Sequence, residues 1–178
     1  VMQGVVYGTR WGTEVPTERT WTRLDVDEVF GTCVNRFVAQ ALIGHPLTVY
    51  GKGGQTRGYL PLLDSMRCLT LLGENPATGY RVVNQLEQGH SVQEIADTVS
   101  DVAFEEYGIA SKIEHCDNPR VEEEEHTYEV ETGTLRELGY QPASDLKSVV
   151  AQMIEDLQPY TSRIERISDV LAPKTQWR

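Results

Sequence analysis

The sequence predicts an α/β fold, in which strands and helices alternate along the chain. Short apolar runs closed by glycine or proline indicate the strands, and apolar residues at three- and four-residue spacings indicate the helices between them. Hydrophobic residues make up 39% of the 178 residues, enough for one domain with a core. No apolar run approaches the ~20 residues that a membrane-spanning helix needs.

The amino-terminal part contains one predicted strand and one predicted helix. Residues 1–8 form an apolar run closed by a glycine, which predicts a buried strand, and the polar residues 9–23 predict an ordered loop. Apolar periodicity then predicts a helix that starts at Asp25 and ends at Gly44. Three acids would lie in its first turn, where the helix dipole favours them: Asp25, Asp27 and Glu28.

The predicted elements continue to alternate after this helix. Two short strands are predicted at 47–50 and 56–60 around a glycine-rich turn, and Pro61 starts the next helix. Ser91 and Glu94 have the spacing of a capping box, which predicts a helix that runs to about residue 107. The remaining predicted elements are two strands and two helices, at 80–84, 112–115, 132–138 and 146–157.

Acidic residues are absent from residues 29–63, although the chain carries 27 acids against 16 bases and a formal net charge of −11. This acid-free segment contains Arg36, Lys52 and Arg57. A locally cationic, glycine-rich region on an acidic protein predicts a bound anion, because the surrounding field would otherwise repel one. A buried helix and strand, where acids are rare, is the alternative. The overall acidity argues against nucleic acid as a partner.

Arg57 is the strongest candidate ligand for that anion. A guanidinium offers two parallel donors to a phosphate, and the neighbouring Gly58 lets a ligand approach the backbone. The alternative is a structural ion pair with Asp64. Lys52 does not indicate a phosphate-binding loop, because the GxxxxGK[ST] spacing and the following helix are missing.

Residues 48–50 are the second candidate feature. On a strand, Thr48 and Tyr50 face one way and Val49 faces the other. The ring of Tyr50 could stack on a planar base or belong to the core, and the sequence alone favours the core.

Other reactive side chains form no recognisable constellation. The three cysteines, Cys33, Cys68 and Cys116, are widely separated and predict free thiols in a reducing compartment. The four histidines lack metal-ligand spacing, so no metal site is predicted. No Tyr is followed by Lys four residues on, and no GxGxxG follows a strand. The chain is therefore predicted to contain no catalytic residue and no site for a dinucleotide pyrophosphate.

Several segments together resemble the UDP-sulfoquinovose synthase family, which belongs to the extended short-chain dehydrogenase/reductase group. The most specific is residues 43–60, with the sequence IGHPLTVYGKGGQTRGYL. Residues 3–8, 29–37 and 118–126 also match. The resemblance covers nearly all of this chain but only the carboxy-terminal half of the family's length.

The resemblance implies an NAD-dependent enzyme that joins sulfite to UDP-glucose and forms UDP-sulfoquinovose for sulfolipid. It implies that residues 1–178 are the carboxy-terminal part of a Rossmann-type enzyme, including a small mixed α/β substrate-binding lobe. The NAD-binding half with its Tyr-xxx-Lys pair would lie upstream. The expected location is the cytoplasm, or the plastid stroma in a plant or alga, with a homodimer as an option and no membrane span.

The resemblance also implies roles for individual residues. Gln3 would lie between cofactor and sugar, and Val6 near the nicotinamide. Arg57 would bind the diphosphate. The other implied substrate-binding residues lie beside the uracil (Thr48, Val49 and Tyr50) or in a segment that closes over the nucleotide (Arg120, Val121 and Glu122).

Two departures from the family pattern bear on the substrate. Met2 stands where the family usually has Asn, and residues 61–63 replace Asp-Ile-Arg. Two other functions stay open at this point. One is an NAD-dependent UDP- or dTDP-sugar epimerase or 4,6-dehydratase, and the other is a non-catalytic nucleotide-sugar-binding module.

Overall fold

The computed structural model describes residues 1–17, 19–27, 30–85, 88–118 and 132–171. Seven strands and six α-helices alternate in the described part of the chain, which confirms the predicted α/β class. The strands are β1 (Met2–Gln3), β2 (Val5–Tyr7), β3 (Leu47–Tyr50), β4 (Thr56–Pro61), β5 (Asn84–Gln85), β6 (Gln88–Ser91) and β7 (Ile113–Cys116). The helices are α1 (Cys33–Leu42), α2 (Leu62–Glu74), α3 (Val92–Tyr107), α4 (Gly133–Glu137), α5 (Leu146–Leu157) and α6 (Thr161–Glu165).

The described strands form three small sheets. Strand β1 pairs in parallel with β5, and β3 pairs in parallel with β7. The third sheet has the order β2–β4–β6, with β2 parallel and β6 antiparallel to β4. Strands β3 and β4 follow each other in the chain but belong to different sheets, so the turn between them links the two sheets.

The main hydrophobic core lies between helices α1, α3 and α5, which pack on one another. Its central side chains are fully excluded from water, and burying each large apolar side chain stabilises the fold by about 1.5–3 kcal/mol. They include Val34, Phe37, Ile95, Val99, Met153 and Ile154. Within the described ranges, no helix is both long and apolar enough to cross a bilayer.

Helix α1 begins at Cys33, eight residues later than predicted. Thr32 is its N-cap, because the Thr32 side chain accepts a hydrogen bond from the amide of Asn35. Before it, the chain turns back: the Asp27 side chain accepts from the Phe30 amide at 2.9 Å, and a side chain at Gly31 would collide with the Asp27 carbonyl. The prediction of acids in the first turn was therefore wrong for Asp25 and Asp27, and Glu28 lies outside the described residues.

Two other predicted elements differ from the structure, and one strand was not predicted. Residues 1–8 form two strands with different partners instead of one. The predicted strand at 80–84 was wrong over most of its length, since Tyr80 is 95% exposed and only Asn84 joins β5. Strand β6 was not predicted, because its residues are too polar and too poor in β-branched side chains to signal a strand.

The start of α3 was predicted correctly. The Ser91 side chain accepts from the Glu94 amide at 3.1 Å, and the Ser91 amide donates to the Glu94 carboxylate at 2.8 Å. Both orphan amides of the first turn are thereby satisfied, which is the capping box that the sequence indicated. Gly108 ends this helix in the left-handed conformation at φ 67°.

Candidate functional site

An open cleft of about 210 Å³ lies where the amino-terminal end of α1 meets the ends of β3 and β4. Helix α1 contributes Cys33 and Arg36 to its lining, and the strands contribute Tyr50, Arg57 and Tyr59. Most of this lining comes from the acid-free segment of the sequence. No Asp or Glu is among the described residues that line the cleft, whereas two guanidinium groups are.

Strand β4 directs Arg57 into the cleft. Arg57 and Tyr59 are two residues apart, so both side chains lie on the same face of the strand, opposite Gly58. The guanidinium of Arg57 donates to the carbonyl of Thr56 at 3.0 Å. Asp64, the alternative partner considered for Arg57, instead accepts hydrogen bonds from the amides of Ala143 and Ser144 at 2.9 and 3.2 Å.

Strand β3 contributes only its last residue to the cleft. Tyr50 lies against α1, with the guanidinium carbon of Arg36 5.1 Å from its ring centre. Thr48 also contacts α1, where its hydroxyl accepts a hydrogen bond from Gln40 at 2.8 Å, but it does not line the cleft. Val49 is fully buried in the main core.

The turn over residues 51–55 sets the separation between Tyr50 and Arg57. Gly53 in this turn has φ 74°, and a side chain there would come within 2.8 Å of the Val49 side chain. Gln55 ends the turn with only 6% of its surface exposed, and its side-chain oxygen has no hydrogen-bond partner among the described residues. The cleft therefore contains a buried acceptor as well as cationic donors.

The other predicted site residues do not line this cleft. The side-chain amide of Gln3 donates to Ser65 at 2.7 Å and to Gln85 at 2.8 Å, so it belongs to a polar network beside the β1–β5 pair. Val6 pairs with Leu60, on the opposite face of the sheet from the cleft-lining Val5. Residues 120–122 (Arg120, Val121 and Glu122) lie outside the described residues, although Asn118, two positions earlier, lines the cleft.

Cys33 and Tyr59 form a hydrogen-bonded pair inside the cleft, with 3.0 Å between the sulfur and the hydroxyl oxygen. Burial raises the pKa of the Cys33 thiol, and burial followed by the neighbouring Cys33 raises the pKa of Tyr59. Both groups are therefore neutral near pH 7. Neither group is therefore activated as a nucleophile or base.

Sequence reasoning missed Gln55, Cys33 and Tyr59 as cleft residues, and it noted Arg36 only as a base within the acid-free segment. Arg36 and Gln40 are polar residues four positions apart on α1, and Asn35 is a third polar residue on this helix. That spacing places both on one side of α1. Gln40, however, is fully buried and donates to Thr48 and to the carbonyl of Leu171, so this spacing did not distinguish a cleft residue from an interior one.

No recognisable binding motif for NAD lies within the described residues. The sequence contains no glycine-rich dinucleotide fingerprint, and the amide of Gln3 is engaged by Ser65 and Gln85. In the usual dinucleotide site, that glycine-rich turn binds the pyrophosphate. Among the described residues there is also no group of three His, Cys, Asp or Glu side chains that could hold a metal ion.

Solved structures define the class of fold. UDP-glucose 4-epimerase from Thermotoga maritima, solved with UDP-glucose, matches with a TM-score of 0.68 at 18% identity, over 89% of this chain and 45% of that one. UDP-glucose 4-epimerase from Thermus thermophilus, solved with NAD, matches with a TM-score of 0.61 at 19% identity, over 88% and 45%. The chain thus has the fold of NAD-dependent epimerases over part of their length.

Sequence relatives are more specific. The chain is 51% identical over 180 residues to UDP-sulfoquinovose synthase of Sulfolobus acidocaldarius, covering 100% of this chain and 45% of the relative. It is 40% identical over 178 residues to the chloroplastic UDP-sulfoquinovose synthase of Spinacia oleracea, covering 99% and 36%. No protein-family model matches. The chain is a homologue of UDP-sulfoquinovose synthase, and it spans less than half the length of these curated relatives.

Proposed function

We propose that this chain is the UDP-sugar-binding part of an NAD-dependent enzyme that joins sulfite to UDP-glucose and forms UDP-sulfoquinovose. The observation that carries the proposal is the cleft, in which an aromatic ring at the end of β3 and a guanidinium near the start of β4 lie together. The 51% identity to a UDP-sulfoquinovose synthase supports this particular reaction.

The chemistry of the cleft suits a nucleoside diphosphate. Arg57 can donate two parallel hydrogen bonds to a phosphate, and such charge-assisted bonds are stronger than neutral ones. Tyr50 offers a ring edge or face beside a planar base. The lack of acids among the described lining residues leaves the cleft with a positive potential on a chain of net charge −11, which favours entry of an anion.

The remaining roles belong to the same proposal. Thr48 and Val49 would contribute through the backbone of β3 beside the uracil, since their side chains are engaged elsewhere. Residues 120–122 would close over the nucleotide from the position that follows Asn118. Gln3 and Val6 would lie on the cofactor side of the sugar.

A ligand titration followed by a turnover assay tests the proposal. The complete protein should bind UDP-glucose more tightly than UDP-galactose or UDP-glucuronate in isothermal titration calorimetry. With NAD and sulfite added, mass spectrometry should detect UDP-sulfoquinovose. No binding of any UDP-sugar would contradict the proposal.

The two other functions are distinguished in the same assay. An epimerase or dehydratase would convert the UDP-sugar without consuming sulfite. A non-catalytic binding module would bind UDP-glucose and give no product under any condition. Either result would replace the proposed reaction while leaving the cleft as the nucleotide site.

A further inference from the structure

Among the described residues, Arg36 is a buried arginine without a counter-ion. Only 6% of the residue is exposed, and one terminal nitrogen donates to the carbonyl of Thr48 at 3.1 Å. Its Nε is buried and has no hydrogen-bond partner in the described part of the chain. Within the described ranges, no carboxylate lies within ion-pair distance of this guanidinium.

Arg10 is another arginine with a poorly exposed guanidinium, and its ion pairs can be compared with the surroundings of Arg36. Its side chain is 10% exposed, and it forms ion pairs with Asp156 at 2.5 Å and Glu155 at 3.0 Å. A buried charge is costly unless a partner compensates it, and Arg10 has two such partners. Within the described residues, Arg36 has only a neutral carbonyl and the faces of two aromatic rings, those of Phe37 at 5.3 Å and Tyr50 at 5.1 Å.

Packing against aromatic rings accounts for part of the environment of Arg36 but supplies no counter-charge. Ring faces attract a cation, yet they leave the hydrogen-bonding capacity of Nε unused. Arg36 also lines the cleft together with Arg57 and the unpartnered oxygen of Gln55. The uncompensated buried cation therefore lies in a cavity with a second guanidinium, while the Gln55 oxygen requires a hydrogen-bond donor and not a phosphate.

We propose that Arg36 is a second cationic ligand of the diphosphate. When a nucleoside diphosphate occupies the cleft, its negative charge compensates the positive charge of Arg36. This inference rests on the proposed function, since it assigns a further residue to the same site. Arg36 would approach the ligand from α1, and Arg57 from β4. The amino-terminal end of α1 adds a partial positive charge on the side of Arg36.

A comparison of ligands with and without phosphates tests the assignment. The probes are UDP and uridine, titrated into the complete protein and into Arg36→Met, which keeps much of the side-chain volume and removes the charge. Arg36→Met should weaken UDP binding on the order of ten- to a hundredfold and leave uridine binding within about twofold. A role limited to positioning Tyr50 beside the base would instead weaken both ligands equally.

The melting temperature of the unliganded protein provides a second readout. Replacing an uncompensated buried charge by an apolar side chain is neutral or stabilising, whereas removing one member of a buried ion pair is destabilising. Arg36→Met should therefore melt close to the parent protein. Arg10→Met is the matched control: it should melt at a clearly lower temperature and bind UDP with unchanged affinity at a temperature where it is folded.

The outcomes separate this inference from the proposed function. If the parent protein does not bind UDP, the proposed function fails and the assignment of Arg36 fails with it. If the parent binds UDP and Arg36→Met binds it equally well, only the role of Arg36 is overturned. Should Arg36→Met not fold, Arg36→Lys keeps the charge but loses the guanidinium fork, and it must weaken UDP more than uridine for the assignment to stand.

Discussion

Arg57 lies in the cleft because side chains alternate between the two faces of β4. Arg57 and Tyr59 face the cleft, and Gly58 faces away from it. The sequence identified Arg57 because few acids surround it. The structure adds that Asp64, its alternative partner, is held by backbone amides of the segment before α5.

Substituting Arg57 tests its proposed contact with the diphosphate. Arg57→Ala should weaken UDP-glucose binding by roughly 1.5–3 kcal/mol, the range for a hydrogen bond to a charged group. Isothermal titration calorimetry of the complete protein measures the change. Arg81→Ala is a suitable control, because Arg81 is exposed and lies outside the cleft lining. Unchanged affinity of Arg57→Ala would remove Arg57 from the site.

The Cys33–Tyr59 pair predicts a pH dependence of stability. The pKa values of both groups are raised in the folded state above their ordinary values of 9.0 and 10.0, because burial disfavours the charged forms. The unfolded chain therefore loses these protons first, and stability is lost as the pH rises above about 9. Urea unfolding between pH 7 and 10.5 should show this decline. The double variant Cys33→Ala/Tyr59→Phe should show a shallower one, and an identical slope would contradict the assignment.

The start of helix α3 was predicted correctly from sequence, because one capping box fixes it. Ser91→Ala should lower the free energy of unfolding by about 0.5–2 kcal/mol, the usual cost of losing an N-cap side chain. Chemical denaturation measures the loss. Ser100→Ala, in the interior of the same helix, is the control and should change stability by no more than about 0.5 kcal/mol. Equal losses in both variants would show that the cap contributes little.

The loop before α1 is anchored to α5 through Asp156. Asp156 is 6% exposed and accepts hydrogen bonds from Thr9 at 2.7 Å and from Arg10 at 2.8 Å. Asp156→Ala should destabilise the fold by about 3–5 kcal/mol, because it leaves the Arg10 guanidinium without its main partner. Glu155→Ala is the neighbouring control. Its side chain is 67% exposed, so it should cost no more than about 1 kcal/mol in the same thermal or urea experiment.

Elements and site residues differed in how well they could be predicted from sequence. Periodicity and capping predicted α3, α5 and β3 correctly. The acids at 25–28 led to a predicted helix start that was too early, since the N-cap of α1 is Thr32. Arg57 was identifiable as a candidate because its residue type suits a phosphate, whereas for Tyr50 the sequence alone favoured the core. Arg36 could not be identified as a candidate ligand from the sequence. The lack of a counter-ion is a property of three-dimensional packing and leaves no pattern in the chain.

At the scale of the whole molecule, the β1–β5 pair is surrounded by exposed apolar side chains. Val1, Met2 and Val82 are 53%, 63% and 50% exposed. Such a cluster favours association with other apolar surfaces. The 178-residue chain by itself should therefore associate with rising concentration in analytical ultracentrifugation. A clean monomer with a sharp, cooperative melt would contradict this prediction.

Turnover is also a property of the whole molecule. The 178-residue chain alone should give no product with NAD, UDP-glucose and sulfite, because its sequence has neither a dinucleotide fingerprint nor a Tyr-xxx-Lys pair. Mass spectrometry of the reaction mixture measures this. Detectable UDP-sulfoquinovose would show that this chain carries its own catalytic groups.

The five-residue turn between β3 and β4 connects two different sheets. Tyr50 is the last residue of β3, and Arg57 is the second residue of β4 in a different sheet. Residues 51–55 therefore separate the Tyr50 ring from the Arg57 guanidinium along the chain. Inserting one residue there would lengthen the turn without altering either side chain. If the cleft binds a nucleoside diphosphate as proposed, loop size is a means of altering ligand binding that leaves the contacting side chains unchanged.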